Sequence, residues 1–198
     1  EASSASRLVT RNATSIIFTL PLAYKDKIRQ IDGVKQISWG NWFGGIYIEE
    51  KNFFANYAVE AKSYIELYSE YVLPQDQKEA LLRDRRGCFA GRKLAERFHW
   101  KIGDIITLKG TIFPGDWAFV LRGIYHGKNE NADEAVFFFH WDYLNEALKR
   151  RGSIFADQVG FYLIGVKDPN RAADGAQAID LTFKNSLAET LTETEKSF

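Results

Sequence analysis

Methionine is absent from this sequence of 198 residues, which has a single cysteine, Cys88, and three histidines. One cysteine excludes an intramolecular disulfide and any metal site built from several cysteines, and we interpret Cys88 as a buried thiol. No segment approaches the run of about 20 apolar residues that a membrane-spanning helix requires. Because there is no initiator methionine, we expect the chain to be processed or excised from a longer protein. A loop between two membrane spans and a secreted protein after signal cleavage both fit that expectation.

An excess of either charge is also missing, since Lys and Arg together number 26 and Asp and Glu together number 26. Proteins that bind nucleic acid usually carry a basic excess, so that class is disfavoured. Hydrophobic residues make up 45% of the chain and aromatic residues 15%. This composition excludes a disordered tail and predicts one large or two small folded domains with a real core.

The two ends of the chain show the same β-α-β pattern. At the start, a stretch of β-branched and aromatic residues is followed by an amphipathic helix that ends at Asp32-Gly33, and then by a second strand. At the end, a strand, a helix with one apolar face and a Thr-rich strand follow one another. The predicted elements are Leu8–Leu20, Ala23–Ile31 and Val34–Trp42 at the start, and Asp157–Val166, Asn170–Lys184 and Ser186–Glu195 at the end.

The middle of the chain is organised around the stretch from Gly87 to Tyr125. Its pattern predicts a short strand, a helix that begins near Gly91, a turn at Lys101–Asp104 and two strands joined by a hairpin. The helix has Leu94, Ala95 and Phe98 on one apolar face. We expect Gly103 in the turn to adopt a positive φ, which a residue with a Cβ tolerates poorly.

These patterns predict an α+β fold with two lobes. In the predicted arrangement, residues 1–50 and 152–198 form a split β-α-β lobe from both chain ends. Residues 51–151 form an inserted, β-rich lobe that carries short helices. The other elements predicted in the inserted lobe are strands at Phe53–Val59 and Ala135–His140 and helices at Ser63–Tyr71, Gln75–Arg86 and Trp141–Arg151.

Three stretches of the sequence resemble signatures of the MacB-like and FtsX-like ABC-transporter permeases. One is LAERF at residues 94–98 followed by KIGDIITL at 101–108, and another is LPLAY at 20–24 followed by IRQIDGVKQIS at 28–38. The third is VKDP at 166–169, followed by Ala172, Ala176 and Ile179-Asp180. The resemblance spans most of the chain in the order of the family. Its structural signature here comprises Pro21, Gly33, Leu94, Ala95, Gly103 and Asp104.

The resemblance implies the extracytoplasmic, periplasmic domain of an inner-membrane permease, with a porter-like lobe formed by both ends of the chain. Such a domain is not an enzyme and needs no cofactor. The implied role is to couple ATP hydrolysis in the cytoplasm to substrate export or to a periplasmic partner. The implied partners are the transmembrane helices of the same permease, a cytoplasmic ATPase, a second copy in a homodimer and a periplasmic adaptor protein, with no nucleic acid.

Known catalytic motifs are not found. The segment from Gly87 to Lys93 differs from a phosphate loop, because three residues rather than four separate its glycines and Leu94 replaces the required Ser or Thr. His99, His126 and His140 lie in different predicted elements without metal-ligand spacing. The alternative function is a secreted hydrolase or ligand-binding protein, with an enclosed pocket where His126, Asp116 and Glu134 converge. An adhesion or assembly module without flanking membrane helices is a third option.

Aromatic residues are concentrated in the segment WGNWFGGIY, residues 39–47. Most of these rings should be core, since alternate positions of a strand face inward. The glycines interrupt the segment, however, and one strand cannot bury all of its rings. We predict that part of the set Trp39, Trp42, Phe43 and Tyr47 forms an exposed contact for a substrate, a lipid surface or a protein partner.

The proposed membrane context also sets a geometric expectation. If the domain connects two membrane helices, its first and last strands must start from and return to one surface. We therefore expect Leu8 and Glu195 at the same end of one membrane-proximal lobe, with the turn at Gly103-Asp104 farther out.

Overall fold

The computed structural model describes residues 4–197 of the chain, and the contacts divide them into two units. The terminal unit comprises the chain up to Asn41, the short segment Glu66–Tyr68 and everything from Asn145 on. The middle unit comprises Trp42–Ile65 and Ser69–Leu144. The assignment of residues 1–50 and 152–198 to a membrane-proximal lobe stays a prediction.

The first strand is shorter than the sequence pattern predicts. The predicted strand Leu8–Leu20 is wrong beyond Asn12, because the Asn12 side chain accepts a hydrogen bond from the Thr14 N–H (2.9 Å) and donates one to the Thr19 carbonyl (3.1 Å). These bonds turn the chain, and Ile16 to Phe18 become exposed loop residues. The elements here are a 3-10 turn (Ser4–Ser6), β1 (Arg7–Asn12), β2 (Leu20–Pro21), α1 (Tyr24–Arg29) and β3 (Val34–Trp42).

The central elements largely follow the predicted order, with two shortened helices. The helix predicted at Ser63–Tyr71 starts earlier, where the Glu60 carboxylate accepts the Ser63 N–H (2.8 Å), and Tyr71 lies in a strand instead. The helix predicted at Gln75–Arg86 ends at Arg83, because the next residue is extended. The elements are a 3-10 turn (Glu50–Asn52), β4 (Ala55–Val59), α2 (Ala61–Leu67), β5 (Tyr71–Val72), α3 (Gln75–Arg83), β6 (Gly87–Gly91), α4 (Arg92–Phe98), β7 (Ile105–Gly110), β8 (Gly115–Gly127) and β9 (Val136–His140).

The last part of the chain returns to the terminal unit. The strand predicted at Asp157–Val166 is interrupted at Gly160, whose N–H donates to the Gly40 carbonyl (2.8 Å). A 3-10 turn at Pro169–Arg171 replaces the start of the last predicted helix. The remaining elements are α5 (Trp141–Arg150), β10 (Gln158–Val159), β11 (Phe161–Val166), α6 (Ala172–Thr182) and β12 (Thr190–Thr194).

The terminal unit has a four-stranded antiparallel sheet in the order β12-β1-β11-β3. β1 and β3 are therefore parallel to each other with β11 between them, and β11 and β12 are parallel with β1 between them. The two β-α-β units interleave as the split arrangement predicted from the sequence. Helix α6 is fixed to the sheet by buried Ile179 and by Asp180, whose carboxylate accepts hydrogen bonds from the hydroxyls of Thr190 (2.8 Å) and Thr192 (2.7 Å).

The middle unit is built on a mixed sheet. Strands β4 and β9 are parallel, β9 and β6 are antiparallel, and β6 and β8 are parallel. β8 is also antiparallel to β7 and to β5. Its core consists largely of stacked and edge-to-face aromatic rings, including Phe119, Phe137 and Phe139. The predicted α+β class, with a split terminal lobe and a β-rich insertion, is confirmed.

Within residues 4–197, none of the helices combines the length and the apolar character needed to cross a bilayer.

Candidate functional site

The two ends of the described chain are joined side by side in the terminal unit. Strands β1 and β12 are antiparallel, with Leu8 opposite Thr194. The Glu195 N–H donates to the Arg7 carbonyl over 3.0 Å. The expectation that Leu8 and Glu195 lie at the same end of one lobe is therefore confirmed.

Arg7 forms a buried cluster of contacts at this point, although arginine is rarely found in the interior of a protein. Arg7 is only 2% exposed. The guanidinium donates from Nε to the Glu195 carboxylate and from Nη1 to the Leu67 carbonyl (3.3 Å), and it lies 4.2 Å from the centre of the Tyr68 ring. The charge is thus paired and hydrogen-bonded, as burial requires. The Arg7 side chain therefore links three segments that are far apart in the sequence: β1, the Leu67-Tyr68 segment and the end of β12.

The predicted aromatic contact is dispersed by the fold. Trp39 is buried in β3 of the terminal unit, opposite Tyr162 of β11. Phe43 is fully buried in the middle unit, where it packs edge-to-face on Trp117 and Phe139. These two rings are core residues and form no surface.

Tyr47 is also part of the interior packing of the middle unit. Its ring makes edge-to-face contacts with Phe98 and Trp100, and its hydroxyl accepts a hydrogen bond from the Trp100 indole (3.1 Å). Among the four residues, Trp42 alone is an exposed residue, at 39%, and it packs edge-on against Tyr57. A partner contact through Trp42 stays a prediction.

The exposed apolar residues next to this segment were missed by the sequence reasoning. Ile48 is 80% exposed and Phe53 is 67% exposed. Ile48 has a φ of +63°, a left-handed conformation that is strained for a β-branched residue. The loop is nevertheless held in place, because the Tyr47 carbonyl accepts bonds from the Glu49 N–H (2.6 Å) and the Asn52 amide (2.9 Å). No local pattern in the sequence indicates a positive φ at an isoleucine.

The signature turn at Gly103-Asp104 has a structural role in the middle unit. Gly103 has a φ of +94°, as the sequence predicts. Its N–H donates to the Leu121 carbonyl, and the Leu121 N–H donates to the Asp104 carbonyl, each over 2.8 Å. The Asp104 carboxylate accepts the Lys101 N–H (2.8 Å). The turn is therefore attached to β8 by two backbone bonds and closed by its own side chain.

The other signature residues also support the fold. Leu94 and Ala95 are buried on the inner face of α4. In the terminal unit, Gly33 has a φ of +90° after α1, and its carbonyl accepts the Lys167 N–H (2.9 Å). The Pro21 carbonyl accepts a hydrogen bond from the hydroxyl of buried Tyr162.

The residues of the alternative, hydrolytic interpretation do not converge. Asp116 and His126 lie at opposite ends of the same long strand, β8. The Glu134 carboxylate accepts hydrogen bonds from Arg92 (2.9 Å) and from the Gly127 N–H (2.8 Å). These donors, Arg92 first, hold the pKa of its carboxyl below the usual value. The part of the chain that the structure describes has no group of three or more side chains suited to hold a metal ion.

A cavity of about 370 Å³ in the terminal unit is not the pocket that the alternative requires. It is lined by the residues between α1 and β3, the end of β11 and the residues that follow it, and the first turns of α6. Its charged residues are Asp32, Lys167, Asp168, Arg171 and Asp174, of which Arg171 and Asp174 already pair with each other (3.4 Å). None of His126, Asp116 and Glu134 belongs to it.

Comparison with known proteins identifies the fold. No family model and no curated protein matches the sequence. Among solved structures, the periplasmic region of MacB from Actinobacillus actinomycetemcomitans superposes with a TM-score of 0.67 and 9% identity, over 97% of this chain and 90% of that one. The extracellular domain of the noncanonic ABC-type transporter YknZ from Gram-positive bacteria gives 0.65 and 10%, over 94% of this chain and 99% of that one. This chain has the MacB-like extracytoplasmic fold.

A third structure supports the same assignment. The domain of a putative permease protein from Porphyromonas gingivalis superposes with a TM-score of 0.56 and 13% identity, over 97% of this chain and 91% of that one. The MacB-like fold therefore extends over nearly all of the chain and nearly all of each similar domain. The resemblance stated from the sequence is confirmed for the fold.

Proposed function

We propose that this chain is the extracytoplasmic domain of an ABC-transporter permease and that it couples ATP hydrolysis in the cytoplasm to substrate export or to a periplasmic partner. The domain itself has no catalytic activity. Its partners are the membrane helices of the same permease, a cytoplasmic ATPase subunit or domain, a second copy of the permease and a periplasmic adaptor.

One observation carries the proposal. Strands β1 and β12 are neighbours and antiparallel, so Arg7 and Glu195 lie at one end of the terminal unit. A domain inserted between two membrane helices needs this arrangement, because both of its ends must reach one bilayer surface. Adjacent ends are common in folded domains. They support the proposal here because the chain also has the MacB-like fold.

The chemistry of the described residues supports a role without catalysis. Two of the three histidines have structural positions: the His140 ring is bonded to the Leu81 carbonyl (2.8 Å), and His99 is the left-handed residue that ends α4. Burial raises the pKa of the Cys88 thiol well above its usual value, so this cysteine is a poor nucleophile. A domain that transmits movement needs firm packing rather than an active site.

The location can be tested by cysteine labelling in intact cells that produce the full-length permease. Cys88 is buried and serves as an internal negative control. Leu187→Cys places a second cysteine at a fully exposed position of the terminal unit. In a permease whose cysteines outside these 198 residues have been replaced, a maleimide that cannot cross the inner membrane should label Leu187→Cys in spheroplasts. The same permease without Leu187→Cys should be labelled only after denaturation. Labelling of Leu187→Cys only after lysis of the spheroplasts would contradict the proposal.

The coupling requires a separate experiment on the purified permease with its ATPase. Replacement of residues 4–197 by a short flexible linker should leave binding of the ATPase intact, because that contact lies on the cytoplasmic side. The same replacement should abolish export or the response to the periplasmic partner. Full retention of both functions would show that the domain is dispensable for coupling.

A further inference from the structure

The direction of the two terminal strands determines how the domain responds to force. Arg7 starts β1, and Glu195 directly follows β12 at the same end of the sheet. A force that separates the two chain ends therefore acts across the strands at this end. The interstrand hydrogen bonds of an antiparallel pair are perpendicular to the strands, so such a force loads them one after another. Each bond adds only about 1 kcal/mol, and the pair would open like a zipper.

The Arg7 cluster lies where this opening would begin. The Nε of Arg7 is bonded to the Glu195 carboxylate, so the side chains bridge the same two strands as the backbone bond from the Glu195 N–H to the Arg7 carbonyl. The guanidinium is held from a third direction by the Leu67 carbonyl and the Tyr68 ring. Hydrogen bonds to charged groups are stronger than those between neutral groups. The first contact under force is thus reinforced by a charged side-chain pair and by an anchor outside the two strands.

We propose that Arg7 and Glu195 form a clasp that keeps β12 on β1 when the two chain ends are pulled apart. Leu67 and Tyr68 anchor the clasp to the body of the terminal unit. This inference rests on the proposed function, in which movement of the membrane helices reaches the domain through its two ends. With the clasp closed, the terminal unit moves as one body, and with the clasp open, the force is dissipated in separating β12.

The experiment is a force measurement on the isolated 198-residue chain with optical tweezers. Handles are attached through one cysteine added at each end, and buried Cys88 does not compete for them. Arg7→Met keeps the length of the side chain but removes its charge and its hydrogen bonds. We expect the rate at which β12 opens at a given force to rise about tenfold or more. Arg7→Lys should restore little, because one ammonium cannot reproduce the separate Nε and Nη1 bonds.

Two control variants separate the clasp from general stability. Arg171→Met removes an exposed ion pair of the same unit and should leave the opening rate unchanged. Tyr162→Phe removes the buried hydroxyl bonded to the carbonyls of Pro21 and Leu22 in the centre of the unit. It should lower the melting temperature without changing the opening of β12 at low force. An opening rate of Arg7→Met equal to that of Arg171→Met would overturn the proposal.

A milder variant covers the case in which Arg7→Met does not fold. Glu195→Gln leaves Arg7 in contact with Leu67 and Tyr68 but removes the charge from the pair. The backbone N–H at position 195, measured by hydrogen exchange, should then exchange about tenfold faster or more, while central backbone amides of β11 are unaffected. Unchanged exchange at this position would refute the clasp. These results do not depend on the transporter, and a failure of the labelling experiment would leave them intact.

Discussion

The side-chain amide of Asn56 forms a two-way pair of hydrogen bonds with the backbone of Gly45. Its Oδ1 accepts the Gly45 N–H (2.8 Å), and its Nδ2 donates to the Gly45 carbonyl (3.0 Å). Nδ2 also donates to the Phe54 carbonyl (3.0 Å), and the residue is buried. Asn56 thus acts as an additional peptide group that closes the base of the loop carrying Ile48.

Asn56→Asp should destabilise the domain by about 3 kcal/mol at neutral pH, because a buried carboxylate would face two carbonyl oxygens in place of the amide donor. The pKa of the introduced carboxyl would be raised in the folded state. Its destabilising effect should therefore decrease as the pH falls below that pKa, where the group is neutral and able to donate. Urea unfolding at about pH 7 and about pH 4 measures both effects. Asn131→Asp, at an exposed position of the same unit, should change stability little at either pH.

Gly103→Val should cost about 1 kcal/mol or more through backbone strain, because φ is +94° and no atom beyond the two neighbouring residues lies within 4 Å of an added Cβ. Gly103→Asn should cost less, since asparagine tolerates a positive φ better than other residues with a Cβ. Thermal unfolding of the two variants tests the order. Equal losses would show that strain at this residue is not the cause.

Gly91→Ala should be more damaging than Gly103→Ala. A Cβ at Gly91 would lie 2.0 Å from the Glu134 carbonyl oxygen, and a backbone atom cannot rotate away. The chain around Gly91 and the segment before β9 must move apart, and we expect a loss of about 3 kcal/mol or more. Gly103→Ala, where the added methyl group meets nothing, is the control. A loss for Gly91→Ala no larger than that of the control would contradict the close approach seen here.

Glu134→Gln tests the ion pair with Arg92 through its pH dependence. The pKa of Glu134 is lowered from its usual value of 4.5, first by the hydrogen bond from Arg92 and then by the Gly127 N–H. A lowered carboxyl pKa stabilises the folded state above the unfolded pKa, and this stabilisation is lost as the pH falls through the folded pKa. Glu134→Gln should therefore be less stable than the wild type at about pH 7 and should approach it below about pH 4. Glu96→Gln, on an exposed carboxylate also paired with Arg92 (3.6 Å), should change the stability little.

Ile48→Asn should stabilise the domain by about 1 kcal/mol. The side chain is 80% exposed and contributes little burial, while the left-handed conformation is strained for isoleucine and tolerated by asparagine. Ile154→Asn is the matched control, because Ile154 is equally exposed and lies outside the residues with positive φ. Chemical unfolding should distinguish them, and equal effects of the two substitutions would rule out relief of strain.

Local chemistry in the sequence determined most of the elements. The bounds of β3, Val34–Trp42, are those predicted, because the strand follows a helix stop at Asp32-Gly33 and consists of residues that favour extended structure. The positive φ of Gly103 was also predictable from local sequence, because a glycine in a tight turn commonly adopts a positive φ. The β-α-β pattern of both chain ends, and with it the α+β fold, followed from the order of these elements.

Contacts between distant residues decided the rest. The pattern of β-branched residues continues past Asn12, but two side-chain hydrogen bonds of Asn12 end the strand. Spacing alone could not show that Phe43 lies in the core while Trp42 stays partly exposed, because that depends on tertiary contacts: rings of β8 and β9 enclose Phe43, whereas Trp42 meets Tyr57 of β4. From the sequence alone, an arginine such as Arg7 is expected to be exposed to solvent. It is buried because the pairing of β1 with β12 brings it to Glu195, which lies 188 residues away, and because the folded chain also places Leu67 and Tyr68 against its guanidinium.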